Sequence, residues 1–381
     1  MYFYLFIIFL SSFLYREFVD ILEDDKNKPC YWLRICIAIF PLVIIEGFRD
    51  VTVGFDTQLY GEDTYLEIRH QRNIGDVFQL CINRDSHDYL FFVVNWLGYL
   101  IYDDCHSAFI LCSLIKYIAV SIACLKLRNK LNSSLLFLCY AIFFYVTGFN
   151  LLRQSISIAI SFLAMAFFLE KKFYLSIVMI ILAYYFHSSS IIATAIIVSF
   201  YISKLKIPVW IYFLSILSCY AFSIQLMLFA DSTGLLREGM ANRYMDSGVI
   251  SSKADILLIA GSFAIGLLNL RLLKNKEVSK NIGNNDSLAE TFDGQIYLYP
   301  FFVNCALALT FSFMSSYFEV AFRMAYYSTV FLWIVTFMII KKKHSLRYTL
   351  FFLSLFLIKF FVDASHGFSE ALPYSSKILG I

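Results

Sequence analysis

The stretch Leu152-Arg153-Gln154-Ser155-Ile156-Ser157-Ile158-Ala159-Ile160-Ser161-Phe162-Leu163-Ala164-Met165-Ala166-Phe167-Phe168-Leu169 decides the fold. Beyond Arg153 it carries no charge, and as a helix rising about 1.5 Å per residue it is long enough to cross most of a hydrocarbon core. Runs of the same character fall at about 2–14, 31–47, 107–125, 133–148, 173–187, 188–202, 207–229, 255–273, 295–313, 323–340 and 348–362. Of the 381 residues, 60% are apolar and only 15% are charged. A soluble domain has roughly 25% charged residues, and no soluble core buries so much apolar surface. Disorder, a collagen-like fibre and a small disulfide scaffold are excluded by the same numbers. The expectation is an all-α polytopic integral membrane protein with about twelve transmembrane helices, residues 1–381 forming a single transmembrane domain. The run Tyr2–Leu14 has no basic segment before it and no small-residue cleavage site after it, so it reads as a short first span.

Charge placement sets the expected orientation. With the N-terminus outside and the spans alternating, 19 of the 31 Lys and Arg residues fall in short inner loops, and 14 of those 19 are Lys. That is the bias expected of cytoplasmic loops, and it puts both termini outside. Lys116 and Lys359 lie within spans, where each needs a partner or a water path. Of the ten outer basic residues, eight are Arg: Arg49, Arg69, Arg72, Arg84, Arg153, Arg237, Arg243 and Arg323. Topology needs only positive charge, so a preference for the guanidinium fork points to bidentate binding of phosphate or carboxylate. The alternative is ordinary salt bridging to external Asp and Glu. Two long external loops are expected, at 48–106 and 230–254, and a flexible cytoplasmic loop at 274–294. The short apolar run Tyr89–Ile101 reads as an interface helix within the first external loop.

Three short stretches carry the polar chemistry. The first, Gly47-Phe48-Arg49-Asp50-Val51-Thr52-Val53-Gly54-Phe55-Asp56-Thr57-Gln58-Leu59-Tyr60, leaves the second span on the outer side. An Arg to hold an anion beside an Asp to take a proton is a workable catalytic grouping, and a local Arg–Asp turn is the alternative. The second, Phe149-Asn150-Leu151-Leu152-Arg153-Gln154-Ser155, opens a span from outside. There the free N–H groups and positive dipole end of the helix favour an anion beside Arg153, with a snorkelling Arg as the alternative. The third is Tyr185-Phe186-His187-Ser188-Ser189-Ser190. Residues 173–202 leave only about 22 Å of helix for each of two spans, which draws the His187 tip below the outer plane and into a wet or protein-lined setting. His187 there is either a base or hydrogen-bond donor, or a residue that fixes the turn. Arg243 and Arg323 are further outer candidates. Nine Cys form no CxxC pair; Cys81 and Cys105 share the first external loop and are the one pair placed to bridge. No metal-ligand spacing stands out and no nucleotide-binding signature is present, so neither metal nor cofactor is expected, and nothing suggests nucleic acid.

At these residues the sequence resembles the EpsG family of polysaccharide-assembly proteins, which is related to the Wzy O-antigen and capsule polymerases. The family pattern of Arg followed by Val-Gly-x-Asp-Thr-x-x-Tyr after the second span is met by Arg49, Val53, Gly54, Asp56, Thr57 and Tyr60. An Arg-Gln pair opening a later span is met by Arg153 and Gln154, and a His-Ser at an outer hairpin by His187 and Ser188. The resemblance implies a fold like the C-type glycosyltransferases. It implies a polymerase that moves a growing O-antigen, capsule or exopolysaccharide chain from undecaprenyl pyrophosphate to a lipid-linked repeat unit, at the outer face of the bacterial inner membrane. In that reading Asp56 and His187 are the catalytic candidates. Arg49, Arg153, Gln154, Arg243, Arg323 and Tyr60 bind substrate and pyrophosphate, and the partners are the lipid-linked oligosaccharide, membrane lipid and a chain-length regulator protein. A lipid-linked oligosaccharide flippase and an O-antigen ligase are the alternatives.

Overall fold

The structure is a computed structural model that describes residues 1–20, 31–202, 253–269, 294–315 and 319–381 except 369, with scattered positions between 208 and 232. Most of the loop expected at 230–254, nearly all of that at 274–294, and Arg243 lie outside the described residues. Among the described residues every regular element is helical. Six helices are long and apolar enough to cross a membrane: Tyr2–Asp20, Cys105–Leu127, Leu152–Leu169, Tyr297–Met314, Ala321–Lys343 and Leu346–Ser365. The chain is a multi-pass membrane protein. The expected count of about twelve spans is not reached among these residues. Several expected runs end early at polar breaks: Ser133–Phe144 stops short of a 3₁₀ turn at Thr147–Asn150, and Phe173–Phe186 stops at His187.

By proximity the helices fall into two compact units: Met1–Arg128, Asn132–Ile191 and Phe360–Ile381 in the first, Asn129–Leu131 and Ile192–Lys359 in the second. In the first, α1 (Tyr2–Leu14), extended by a π-helical turn to Asp20, packs on α2 (Tyr31–Gly47). The Ser11 hydroxyl donates to Ala38 O at 2.6 Å across that pair. The loop after α2 then forms α3 (Asp63–Ile68), α4 (Ile74–Asn83) and α5 (Tyr89–Ile101). Next come α6 (Cys105–Leu127), α7 (Ser133–Phe144), α8 (Leu152–Leu169) and α9 (Phe173–Phe186). Helix α6 is the hub of this unit, packed against α2, α5 and α8. Gly98 of α5 lets the two backbones meet, because a Cβ there would lie 2.7 Å from the Ala108 backbone. Helix α8 is buried along nearly its whole length, and Tyr140 of α7 stacks on its Phe162 at 5.7 Å.

Lys116, mid-way along α6, has its partner in Glu46 near the end of α2: Nζ lies 2.5 and 2.6 Å from the two carboxylate oxygens, and both residues are buried. An apolar medium makes such a charge tolerable only when it is paired.

The second unit holds α10 (Ile191–Ile202) beyond its first residue, α11 (Lys253–Leu268), α12 (Gly294–Met314), α13 (Glu319–Lys343) and α14 (Leu346–Ser365) as far as Lys359. Its second intraspan cation is also matched, with Lys359 Nζ 3.6 Å from Asp255 Oδ1. Lys341 Nζ donates to Asn129 O at 3.0 Å, joining two segments that the charge rule assigns to the same membrane face.

The Glu46–Lys116 pair yields a sharp expectation. Lys116→Met alone leaves a buried carboxylate uncompensated and should cost about 3–5 kcal/mol, whereas Lys116→Met with Glu46→Leu should recover most of it. Thermal unfolding in detergent reads both; a double variant no more stable than the single would contradict the pairing as the source of the cost.

Candidate functional site

The three polar stretches, separated by about a hundred residues and by a few tens, converge in the first unit. The chain leaves α2 at Gly47, turns through Asp50–Val53, and passes Gly54 at φ +93°, a left-handed conformation that favours glycine. A Cβ at Gly54 would also lie 2.9 Å from Phe149, so the glycine is needed twice over. Two hydrogen bonds then clip this loop to the turn before α8. Phe55 N–H donates to Asn150 Oδ1 at 2.6 Å, and the Thr57 hydroxyl lies 2.9 Å from Val53 O and 3.3 Å from Phe149 O. Asp56 sits between these two anchors, only 6% exposed, at the head of a π-helical turn over Thr57–Glu62.

Arg153, on the first turn of α8, reaches Asp88 with Nη1–Oδ2 at 2.5 Å and lies flat over the Tyr60 ring, Cζ 4.0 Å from its centroid. Both partners of this ion pair stay partly open, 20% exposed for Arg153 and 10% for Asp88. Burial lifts the Asp88 carboxyl above its ordinary pKa, and the Arg153 guanidinium pulls it back in part. The next residue, Gln154, is buried and donates from Nε2 to Ser189 Oγ at 3.2 Å. Ser189 in turn holds His187: its hydroxyl lies 2.7 Å from Nδ1 and its N–H 3.3 Å from the same nitrogen. A backbone N–H can only donate, so Nδ1 accepts and a neutral His187 carries its proton on Nε2. One line therefore runs Tyr60–Arg153–Gln154–Ser189–His187, with Asp88 paired to Arg153.

Arg49 is placed differently from the other candidates. It is fully buried, its guanidinium between the rings of Phe149 at 4.7 Å and Phe109 at 5.2 Å. Its Nε donates to Thr57 Oγ1 at 3.2 Å and its Nη1 to Glu46 O. Burial lowers its pKa while Glu46 acts in the opposite sense. In this arrangement Arg49 props the Asp56 loop through Thr57. The outer Arg set also divides: Arg69 pairs with Asp103 and Arg84 with Glu67, both at the exposed surface, as the salt-bridge alternative has it. Arg323, half-buried near the start of α13, belongs to the second unit. Cys81 and Cys105 are both free, and the Cys81 thiol donates to Ser86 O at 3.2 Å instead of bridging.

Two features escaped the sequence. Asp88 precedes a short apolar helix, where an acid reads as an ordinary cap, and nothing in the pattern ties it to Arg153, 65 residues on. The C-terminal segment is the other. Asn150 Nδ2 donates to Phe368 O at 2.7 Å, Gly54 N–H to Glu370 O at 3.2 Å, Asp50 N–H to Ser375 O at 3.0 Å and Lys377 N–H to Asp50 Oδ1 at 3.0 Å. The Tyr4 hydroxyl reaches Ala371 O at 2.6 Å. The tail thus straps the Asp56 loop and brings both termini to one side of the first unit. A segment that matters only through its backbone amides and carbonyls leaves no side-chain pattern to read.

The model of the EpsG family matches residues 32–376, and the chain belongs to that family of Wzy-like polymerases. No curated protein and no solved structure matches the chain.

Asn150 joins loop and tail through different atoms, so its variants separate the two. Asn150→Asp keeps the acceptor for Phe55 N–H but sets a carboxylate against Phe368 O, and hydrogen exchange should rise in 368–376 while 53–60 stays protected. Asn150→Ala should deprotect both segments and destabilise by about 0.5–1.5 kcal/mol for each hydrogen bond lost.

Proposed function

We propose that this multi-pass protein is a polysaccharide polymerase that transfers the growing glycan from undecaprenyl pyrophosphate to the non-reducing end of a lipid-linked repeat unit, at the outer face of the bacterial inner membrane. The observation that carries the reading is the convergence of the Asp56, Arg153–Gln154 and His187 stretches on one site next to a partly exposed guanidinium. The Lys-rich short loops support an outer position for that site, and for both termini with it.

In the reaction the acceptor hydroxyl oxygen bonds to the anomeric carbon of the donor while the bond from that carbon to the pyrophosphate oxygen breaks. The hydroxyl proton passes to a protein base, and undecaprenyl pyrophosphate leaves with the bonding electrons. Negative charge grows on the leaving group, so a fixed cation is worth most there. Arg153 fills that role: it is held by Asp88 and by the Tyr60 ring, both of which fix its orientation before substrate arrives. The free N–H groups at the start of α8 add to it. Of the two candidate bases, the hydrogen bonding favours Asp56. His187 spends Nδ1 on Ser189 and offers an N–H at Nε2, which suits a donor to phosphate or to a sugar hydroxyl. Gln154 acts through Ser189 as a positioning residue. A chain-length regulator and bulk lipid are the expected partners.

The test is polymer length on a gel in a strain lacking the gene and carrying each variant, with membrane protein level checked by blot. Asp56→Asn and Arg153→Lys should each abolish long chains, a rate loss of about a hundredfold or more, and His187→Ala should shorten them. Long-chain product surviving all three changes would overturn the site.

A further inference from the structure

Beside the Arg153–Asp88 pair lies a chain of aromatic rings that the chemistry above does not use. Phe78 of α4 meets Tyr89 of α5 at 5.9 Å, Tyr89 meets Tyr185 of α9 at 5.9 Å, Tyr185 meets Tyr184 at 5.8 Å, and Tyr184 meets His87 at 6.5 Å. Three separate elements contribute, and His87 and Tyr89 are the two chain neighbours of Asp88. This is a rim and not a core: Tyr185 is 41% exposed, Phe78 is 40% exposed and His87 is exposed, unlike the fully buried Tyr140–Phe162 stack. Its polar heads are also unspent. The hydroxyls of Tyr89, Tyr184 and Tyr185 and the imidazole of His87 have no hydrogen-bond partner among the described residues.

Flat apolar faces with polar edges match one ligand class closely. A pyranose ring has an axial C–H face that packs on an aromatic ring and a girdle of hydroxyls that takes hydrogen bonds from its edge. A lipid tail would use the faces and waste the heads. We propose that this rim is the glycan subsite, holding the sugar next to the pyrophosphate bound at Arg153, with Tyr89 and Tyr185 as the stacking rings. The proposal rests on the polymerase reading for the pyrophosphate, but its own content is oligosaccharide binding.

The probe is a set of lipid-free oligosaccharides released by mild acid from the source strain's own surface polysaccharide, measured by saturation-transfer NMR and fluorescence titration on the purified full chain in detergent. Tyr89→Ala and Tyr185→Ala should each weaken binding by about three- to tenfold, the range expected for one aromatic contact. Tyr185→Trp should retain it, while Tyr185→Leu, which keeps apolar bulk without a flat ring, should behave as Ala does. The Trp and Leu variants guard against misfolding, since both fill the position. Unchanged binding in Tyr185→Leu, or no binding by the parent protein, would overturn the subsite. The two readings fail separately: undiminished long chains in the strain lacking the gene would sink the polymerase and spare the rim, whereas equal binding by the Tyr variants would do the reverse.

Discussion

Asn150 is the side chain on which the site depends. Its Oδ1 takes the Phe55 N–H and its Nδ2 gives to Phe368 O, so one planar amide joins the loop after α2, the turn before α8 and the C-terminal tail. An amide is suited to this because it offers a donor and an acceptor in one plane at a fixed spacing. The geometry downstream follows from it. With Phe55 and Thr57 anchored, Asp56 has little freedom, and with the turn before α8 anchored, Arg153 and Gln154 emerge at set points on the first helical turn. The motif residues Gly54, Thr57 and Asn150 thus hold the site together, and Asp56, Arg153 and His187 occupy it.

Behind this clip stands a buried column of charge. Lys116 is neutralised by Glu46, and the Glu46 carbonyl receives Arg49, whose guanidinium lies between two aromatic rings. Such a column is expensive in an apolar surrounding, and its partners must all be present for any of them to be tolerated. What it supplies is rigidity at the junction of α2, α6 and the Asp56 loop. Gly148 belongs to the same junction, since a Cβ there would lie 2.9 Å from Lys116 Nζ. Preorganised electrostatics need such a support, because a guanidinium that must reorganise during reaction loses much of its advantage.

The helices and the three motif stretches were legible in the sequence because hydropathy and the outward turn of a span are local properties. The α5 helix matched its expected range, Tyr89–Ile101, for the same reason. What the sequence hid is relational. Lys116 showed that a partner was needed without naming Glu46, since a carboxylate three residues from Arg49 reads as part of an outer turn. Nothing local ties Asp88 to Arg153, or the tail to the Asp56 loop. Helix ends are a different matter: the apolar run at 133–148 passes into the 3₁₀ turn Thr147–Asn150 and the run at 173–187 ends on His187, where the backbone breaks and delivers polar groups. Composition registers the apolar length and is blind to the break.

That break is where function and fold compete for the same residues. A helix running unbroken through Thr147–Leu151 would satisfy every backbone group and span the core with ease. The 3₁₀ turn followed by Leu151 gives up that economy, yet its own carbonyls and amides are met by Thr57, by Val146 and by the helix beyond. The turn leaves the start of α8 open, with Arg153 beside its free N–H groups. A lone Arg there would be a snorkelling anchor. Arg153 is instead laid over Tyr60 and tethered to Asp88, so its charge is oriented while its side chain stays partly exposed. A cation held in place beside free N–H groups is what an incoming pyrophosphate would complete.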